Sequence, residues 1–172
     1  MTTGTVLFLA FIVLQRLGEL VIAHRNTARL MSRGAREVGA GHYPVMVAMH
    51  TAWLLALLVF GFHQTLHMGW LAVYAVLQVF RAWILGTLGA RWTTRIIVLD
   101  APIVTRGPFR FIRHPNYALV VAEIIVAPLV LGLIWVAVVF TVLNAAMLYH
   151  RIGVEDAALR NKGRHADGQA RI

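Results

Sequence analysis

Long apolar stretches alternate with short polar segments along the chain. Four such stretches are present, at residues 4–23, 44–62, 69–88 and 116–150. A transmembrane helix needs roughly 20 apolar residues, so each of the first three stretches predicts one membrane helix. The fourth stretch would form a helix about 50 Å long, which exceeds the hydrocarbon core of a bilayer. Pro128 and Gly132 lie within it and predict a tight hairpin of two short helices.

The pattern therefore predicts an all-α integral membrane protein with five transmembrane helices, the last two of which form a short hairpin. Residues 89–115 are too polar to span a bilayer and lack the pattern of a long amphipathic helix, so they predict an irregular cytoplasmic cap. Residues 160–172 are expected to form a polar tail. No repeat or linker divides the chain, and residues 1–172 predict a single domain.

The composition is that of a membrane protein. Hydrophobic residues make up 59% of the chain and charged residues 13%, with a mean hydropathy of +0.72. These values lie outside the range of soluble domains of this length. The chain has no cysteine, which excludes disulfides and thiolate metal ligands, and no metal site is expected.

The net charge of +9 follows the predicted topology. Basic residues are concentrated after the first helix, between the third and fourth helices, and after the fifth, whereas the connection HQTLHMG (63–69) has no Lys, Arg, Asp or Glu. With five crossings, all three basic segments lie on one side, which the positive-inside rule identifies as cytoplasmic. We therefore expect a bacterial-type inner membrane protein with its N-terminus outside. Because the charge follows topology, nucleic acid is not expected as a partner.

Strongly polar side chains interrupt the predicted membrane helices at a common depth near the cytoplasmic side. They are Arg16, Glu19, His50, Gln78, Arg81, Glu123 and Asn144. Such residues are costly in lipid and face a bundle interior or a cavity. One interpretation is structural, with Arg16 paired to Glu19 and Arg81 paired to Glu123. The other is a cavity open to the cytosol or inner leaflet, in which the candidate substrate residues are His50, Arg81, Glu123 and Asn144.

Two polar motifs flank the predicted hairpin. The first, GPFRFIRHPNY (107–117), ends where the fourth helix begins, and the free amides of that helix start favour an anion together with nearby arginines. Anchoring of these arginines to lipid phosphates is the simpler alternative. The second, RIGVEDAAL (151–159), places Arg151 and Glu155 four residues apart on one helix face. They form either a surface ion pair or a clamp for an anionic group and a cation.

Together, these motifs and the hairpin between them resemble the isoprenylcysteine carboxyl methyltransferase family and its phospholipid methyltransferase relatives. The segments RLGELVIAHRN, GAREVGAGHYPVMVAMH and RAWILGTLGARWTTRIIVL resemble a small bacterial branch whose members include alkylpyrone O-methyltransferases. The resemblance implies that S-adenosylmethionine is bound without a Rossmann domain. Its pocket would be formed on the cytoplasmic side by the cap, the start of the fourth helix and a C-terminal helix.

The resemblance also implies roles for individual residues. The expected cofactor-binding residues are Ala101, Pro102, Ile103, Val104, Phe109, His114, Pro115, Asn116, Tyr117, Glu155 and Asp156. Arg151 is expected to face the acceptor, and the candidate catalytic residues are Arg151, Glu155 and His114. The chain departs from the family pattern at two positions, since Phe109 stands where tyrosine is frequent and Asp156 stands where a second glutamate is frequent.

These features predict an S-adenosylmethionine-dependent methyltransferase that acts at the cytoplasmic membrane face, surrounded by membrane lipids. The expected acceptor is a carboxylate, phenol or enol oxygen of an isoprenyl- or alkyl-bearing substrate, and the by-product is S-adenosylhomocysteine. Glu155 would favour the positive charges of the cofactor, Arg151 would orient an anionic oxygen, and His114 is the candidate base for an acceptor that is not ionised. Two alternatives are an NAD(P)H-dependent membrane reductase of related fold and a non-enzymatic lipid-binding or transport protein.

Overall fold

Five helices form most of the protein. The computed structural model describes residues 2–99, 102, 104–112 and 114–169, with the backbone alone for residues 156 and 158–169. The helices are α1 (Thr3–Met31), α2 (Tyr43–Gly61), α3 (Met68–Leu88), α4 (Pro115–Val130) and α5 (Ile134–Gln169). Within the described ranges, four helices are long and apolar enough to cross a membrane, namely α1, α2, α3 and α5. Helix α4 is also apolar, but its 16 residues span only about 24 Å.

The long apolar stretch breaks between α4 and α5, where Pro128 and Gly132 predict a turn. The amide of Leu133 donates to the carbonyl of Pro128 over 2.9 Å, which closes the turn. Gly132 has a φ of +71°, and a Cβ there would lie 2.9 Å from His67 Nε2. Both the backbone conformation and the close approach of His67 therefore require glycine.

The connections of the helices meet at two opposite ends of the bundle. At one end, Thr5 Oγ1 donates to the carbonyl of Gln64 over 2.7 Å, and the amide of His67 donates to the carbonyl of Val130 over 2.8 Å. These bonds join the start of α1, the α2–α3 connection and the α4–α5 turn. At the other end, Asn26 Nδ2 donates to the carbonyl of Trp92 over 2.8 Å. The basic segments that follow α1 and α3 therefore share one end.

The bundle has an apolar core and an apolar outer surface. The side chains of Ile12, Trp53, Leu57 and Ile124 are buried in one core cluster that joins α1, α2 and α4. Large apolar side chains also cover the outside of the long helices, including Leu14, Val79 and Val142. An outer surface of this kind is suited to lipid, and it agrees with a mostly helical membrane protein.

A short strand pair that the sequence does not predict joins the cap to the segment after α1. Strand β1 (Arg36–Val38) pairs antiparallel with β2 (Ile96–Val98), with Glu37 opposite Ile97. Arg95 Nη1 lies 2.8 Å from Glu37 Oε2, and its guanidinium carbon lies 4.4 Å from the centre of the Tyr43 ring. The hydrogen bond that Arg95 donates to Glu37 raises the pKa of Arg95. Single turns of 3-10 helix at Gly89–Arg91 and Gly107–Arg110 form other parts of the cap.

Candidate functional site

Two cavities meet where the helical bundle joins the cap. The cap cavity, about 280 Å³, lies between β2, the segment after α3, the start of α4 and the cap-side part of α5. The membrane cavity, about 180 Å³, lies among the helices directly below it and is lined by side chains of α1, α2, α3, α4 and α5. Five residues line both cavities: Trp92, Thr93, Asn116, Tyr117 and Arg151. We call these five residues the shared wall, because they border both the cap cavity and the membrane cavity.

Tyr117 connects the two charged residues of the α5 motif. Arg151 Nε donates to the Tyr117 hydroxyl over 3.0 Å, and that hydroxyl donates to Glu155 Oε2. The guanidinium carbon of Arg151 also lies 5.6 Å from the centre of the Tyr117 ring. Within the described part of the chain, Arg151 and Glu155 form no direct ion pair, so a simple surface salt bridge does not account for the motif.

Arg151 is buried and is held by uncharged groups. Its side chain is 5% exposed, and its Nη2 donates to the carbonyl of Thr94 over 2.7 Å. Its Nη1 lies 2.8 Å from the thioether sulfur of Met46. A thioether is a weak acceptor, so an incoming oxygen would replace this contact at little cost. The guanidinium therefore presents a positive charge on the shared wall, with one N–H group readily available.

The other side chains near the shared wall are held by the cap and by the start of α4. The ring of His114 stacks on Tyr117 with centroids 5.4 Å apart, and the His114 carbonyl accepts from the amide of Tyr117. Trp92 is 3% exposed, and its Nε1 lies 3.5 Å from Asn116 Oδ1. Because Asn26 of α1 binds the Trp92 carbonyl, α1 also positions this tryptophan.

A second polar cluster lies beside the membrane cavity. Arg16 lies 2.8 Å from Glu19 and 2.6 Å from Glu123, and Arg81 lies 3.2 Å from Glu19 and also pairs with Glu123. Gln78 Nε2 donates to Glu123 Oε1 over 3.2 Å. The two arginines and two glutamates balance in charge and join α1, α3 and α4. The two ion pairs predicted as the structural interpretation are present and are joined in one network.

The predicted cofactor-binding residues are placed around the cap cavity to different extents. Pro115 begins α4 and is buried, but it is not a wall residue. Ala101 and Ile103 lie outside the described residues, and so does the side chain of Asp156. The predicted residues that line the cap cavity are Pro102, Val104, Phe109, His114, Asn116, Tyr117 and Glu155.

The predicted substrate residues lie in or next to the membrane cavity. Arg151, Arg81, Asn144 and His50 line it, whereas Glu123 is fully buried behind Arg81. His114 lines the cap cavity alone and does not reach the membrane cavity. Among the described residues, no group of three or more His, Asp or Glu side chains is placed to hold a metal ion.

A comparison with known families shows to which family the chain belongs. Residues 70–161, slightly more than half of the chain, match the profile of the isoprenylcysteine carboxyl methyltransferase (ICMT) family. The chain belongs to this family. The match includes α3, α4, the turn after it and the α5 segment with Arg151 and Glu155. Membership supports a membrane methyltransferase in general.

Two similar proteins come from bacteria. The uncharacterized protein YpbQ of Bacillus subtilis (strain 168) is 36% identical over 160 residues, which cover 90% of this chain and 95% of that protein. An uncharacterized protein of Haemophilus influenzae (strain ATCC 51907 / DSM 11121 / KW20 / Rd) is 26% identical over 87% of this chain and 91% of its own length. No solved structure matches the chain significantly. Both relatives extend over most of this chain.

Several residues that line the two cavities are not singled out by the sequence. Met46 and Trp53 lie on α2, where apolar residues are expected on every face, so their sequence context gives no sign that they line a cavity. Trp92 and Thr93 lie in the cap segment GARWTTR, and the family resemblance includes that segment without assigning them a role. Only the tertiary structure brings these residues together around the two cavities.

Proposed function

We propose that this protein is an S-adenosylmethionine-dependent methyltransferase that methylates an oxygen of a lipophilic acceptor at the cytoplasmic face of the membrane. The observation that carries the proposal is the shared wall, where a cap-side cavity and an intramembrane cavity meet at Arg151 and Tyr117. A water-soluble methyl donor and a lipid-borne acceptor need such an arrangement. Membership in the ICMT family supports the same reaction class.

The residues of the cap cavity fit the chemical groups of S-adenosylmethionine. Glu155 offers a carboxylate to the positive charges of the cofactor, and Arg91 and Arg95 offer guanidinium groups to its carboxylate. The aromatic side chains of Trp92 and Phe109 offer faces for its base. We therefore assign the cofactor to the cap cavity.

The reaction needs alignment rather than a covalent intermediate. When bound, the cofactor would supply a methyl group on a sulfonium centre for transfer to the acceptor oxygen. Arg151 would bind and orient that oxygen, because its Nη1 contacts the weakly accepting sulfur of Met46. Tyr117 would fix the guanidinium and Glu155 relative to each other. An acceptor that is already ionised needs no strong base.

The membrane setting explains the orientation that we propose. The basic segments gather at the end of the bundle that carries the cap, so the positive-inside rule favours a cytoplasmic cap and five crossings, with α4 as the short one. The acceptor would reach the membrane cavity between helices from the inner leaflet. Its tail would remain among the apolar side chains, while the oxygen to be methylated lies at the shared wall.

Cofactor binding is the experiment that tests the reaction class. Titration calorimetry of the detergent-purified protein with S-adenosylhomocysteine should show micromolar binding, and NADPH should not bind. Binding of NADPH alone would replace the methyltransferase with a reductase. If neither compound binds, the non-enzymatic alternative is favoured. Screening lipidic acids and phenols with radiolabelled S-adenosylmethionine then identifies the acceptor.

A further inference from the structure

Three buried side-chain N–H groups of residues around the membrane cavity have no acceptor within the part of the chain that the structure describes. They are Arg16 Nε, Trp53 Nε1 and Asn144 Nδ2. All three residues line the membrane cavity. Trp53 and Asn144 are each 1% exposed, so bulk water does not satisfy them. A buried donor without an acceptor is costly, and three such donors around one cavity indicate a ligand that supplies acceptors.

The donors of Trp53 and Asn144 lie at one depth, below Arg151. Arg151 of α5 contacts Met46 of α2, so these two residues lie at the same level of the bundle. Trp53 follows Met46 by seven residues, and Asn144 precedes Arg151 by seven residues, in helices that run in opposite directions. Seven residues are about two turns and about 10 Å, so both residues keep the face of the Met46–Arg151 contact.

Arg16 of α1 reaches the same depth. Its guanidinium carbon lies 5.9 Å from the centre of the Trp53 ring. Its Nη1 and Nη2 are bonded to Glu19 and Glu123, which leaves its Nε as the open donor. Residues of three helices that carry unpaired donors therefore lie around one cavity.

The charge at this depth favours an uncharged ligand atom. The positive charges of Arg16 and Arg81 are balanced by the carboxylates of Glu19 and Glu123. The remaining donors belong to an indole and a carboxamide, which are neutral. A second anion would meet no uncompensated positive charge here, whereas a carbonyl oxygen accepts two hydrogen bonds without a charge.

We infer that the donors of Trp53, Asn144 and Arg16 form a second substrate subsite, which binds a carbonyl oxygen within the apolar body of the acceptor. The inference rests on the proposed function and deepens it. The acceptor is then a lipophilic acid or enol with two polar positions, the oxygen bound by Arg151 and a carbonyl about two helical turns deeper, about 10 Å along the helix axis. A plain alkyl chain would leave the three donors unsatisfied.

The test compares matched probes in lipid nanodiscs saturated with S-adenosylhomocysteine. The probes are tetradecanoic acid and a series of oxotetradecanoic acids in which the ketone is moved along the chain. One ketone position should bind about tenfold more tightly than the plain acid, which is the effect expected of a hydrogen bond to a buried, otherwise unpaired donor. Calorimetry measures this affinity ratio.

Three variants test whether the proposed donors cause the affinity ratio between the preferred oxo acid and the plain acid. Asn144→Leu replaces a carboxamide with an apolar side chain of similar size, and Trp53→Phe keeps an aromatic ring, so each variant removes one donor. The preferred oxo acid should then lose most of its advantage over the plain acid. Val120→Ala alters the same cavity without removing a donor and should preserve the ratio. Retained binding of S-adenosylhomocysteine shows that each variant is folded.

The outcomes separate the subsite from the proposed function. Equal affinities for every oxo acid and for tetradecanoic acid, or no binding by any of them, would overturn the subsite, even where S-adenosylhomocysteine binds. In that case ordered water would be the partner of the three donors. A preference for one ketone position that persists in both donor variants would also overturn it. Failure of S-adenosylhomocysteine to bind the unaltered protein is a failure of the proposed function instead.

Discussion

Arg81 and Arg151 are both buried arginines, 4% and 5% exposed, but their partners differ in kind. Arg81 lies between the carboxylates of Glu19 and Glu123. Arg151 bonds a phenol, a thioether and a backbone carbonyl, and the carboxylate of Glu155 is joined to it through Tyr117. Both arginines line the membrane cavity, so burial and position do not distinguish them.

The partners of a buried arginine in a membrane protein distinguish a structural role from a role in binding a ligand. A buried charge is costly unless it is paired, so a fully paired arginine is stable without a ligand. An arginine held by neutral acceptors retains an uncompensated charge that favours an anionic ligand. The pairing of Arg81 supports a structural role, and the neutral contacts of Arg151 support binding of the acceptor oxygen.

The largest expected effect is on stability, from Glu123→Gln. The change keeps the shape of the side chain but leaves two buried arginines against one carboxylate, and removing one partner of a buried ion pair costs roughly 3–5 kcal/mol. We expect a large loss of thermal stability in detergent, measured by circular dichroism. The matched control is the double variant Arg81→Gln with Glu123→Gln, which restores the charge balance. If the double variant is no more stable than the single one, the network is not held by charge compensation.

Arg151→Gln should have the opposite effect, with a large loss of turnover and little loss of stability. Loss of a donor aimed at the reacting oxygen lowers turnover by about 10²–10³-fold in other enzymes. We expect that loss in methyl transfer, with binding of S-adenosylhomocysteine retained. Thermal stability should change little, because no carboxylate among the described residues pairs directly with Arg151. A large loss of stability in Arg151→Gln, comparable to that of Glu123→Gln, would remove the distinction between the two arginines.

Glu155→Gln tests the cap side of the shared wall. The carboxylate is proposed to bind the positive charges of the cofactor, and a hydrogen bond to a charged group contributes roughly 1.5–3 kcal/mol. We therefore expect the affinity for S-adenosylhomocysteine to fall by roughly 10- to 100-fold in calorimetry. Unchanged affinity would exclude Glu155 from the cofactor site and leave it only as the partner of Tyr117.

Tyr117→Phe removes the connection between Arg151 and Glu155 while it keeps the ring that stacks on His114. Loss of this neutral bridge should lower turnover by about tenfold, since it positions two groups without carrying their charges. Radiolabelled methyl transfer measures the effect. A loss as great as that of Arg151→Gln would mean that Tyr117 itself acts on the acceptor.

The apolar pattern predicts the helices well because hydrophobicity and length alone define them. The break near Leu131–Leu133 is also predicted, since Pro128 and Gly132 are strong local signals. Helix α1 continues to Met31, past the apolar stretch that ends near residue 23, because Arg25 to Leu30 are compatible with a helix outside the bilayer. Helix α5 likewise continues through most of the predicted polar tail without interruption.

The site is only partly visible in the sequence. The two motifs contain His114, Tyr117, Arg151 and Glu155, and the family resemblance, rather than their spacing, makes them candidates. The bridge through Tyr117 is not predicted, since the partners are 34 and 38 residues away along the chain. The strand pair β1–β2 is invisible for the same reason, because three-residue strands in distant segments have no local signature.

The smallest expected effect concerns a third arginine, Arg95, which pairs with Glu37 on the partly exposed cap. Arg95 is charged over the accessible pH range, as arginines are in general, and the hydrogen bond that it donates to Glu37 raises its pKa further. Exposed ion pairs nevertheless contribute only about 0–1 kcal/mol. Glu37→Gln should therefore lower stability by less than about 1 kcal/mol. Its effect on S-adenosylhomocysteine affinity should be small, since stacking on Tyr43 still positions the guanidinium. A loss of stability near that of Glu123→Gln would show that the cap, and not the buried network, holds the bundle together.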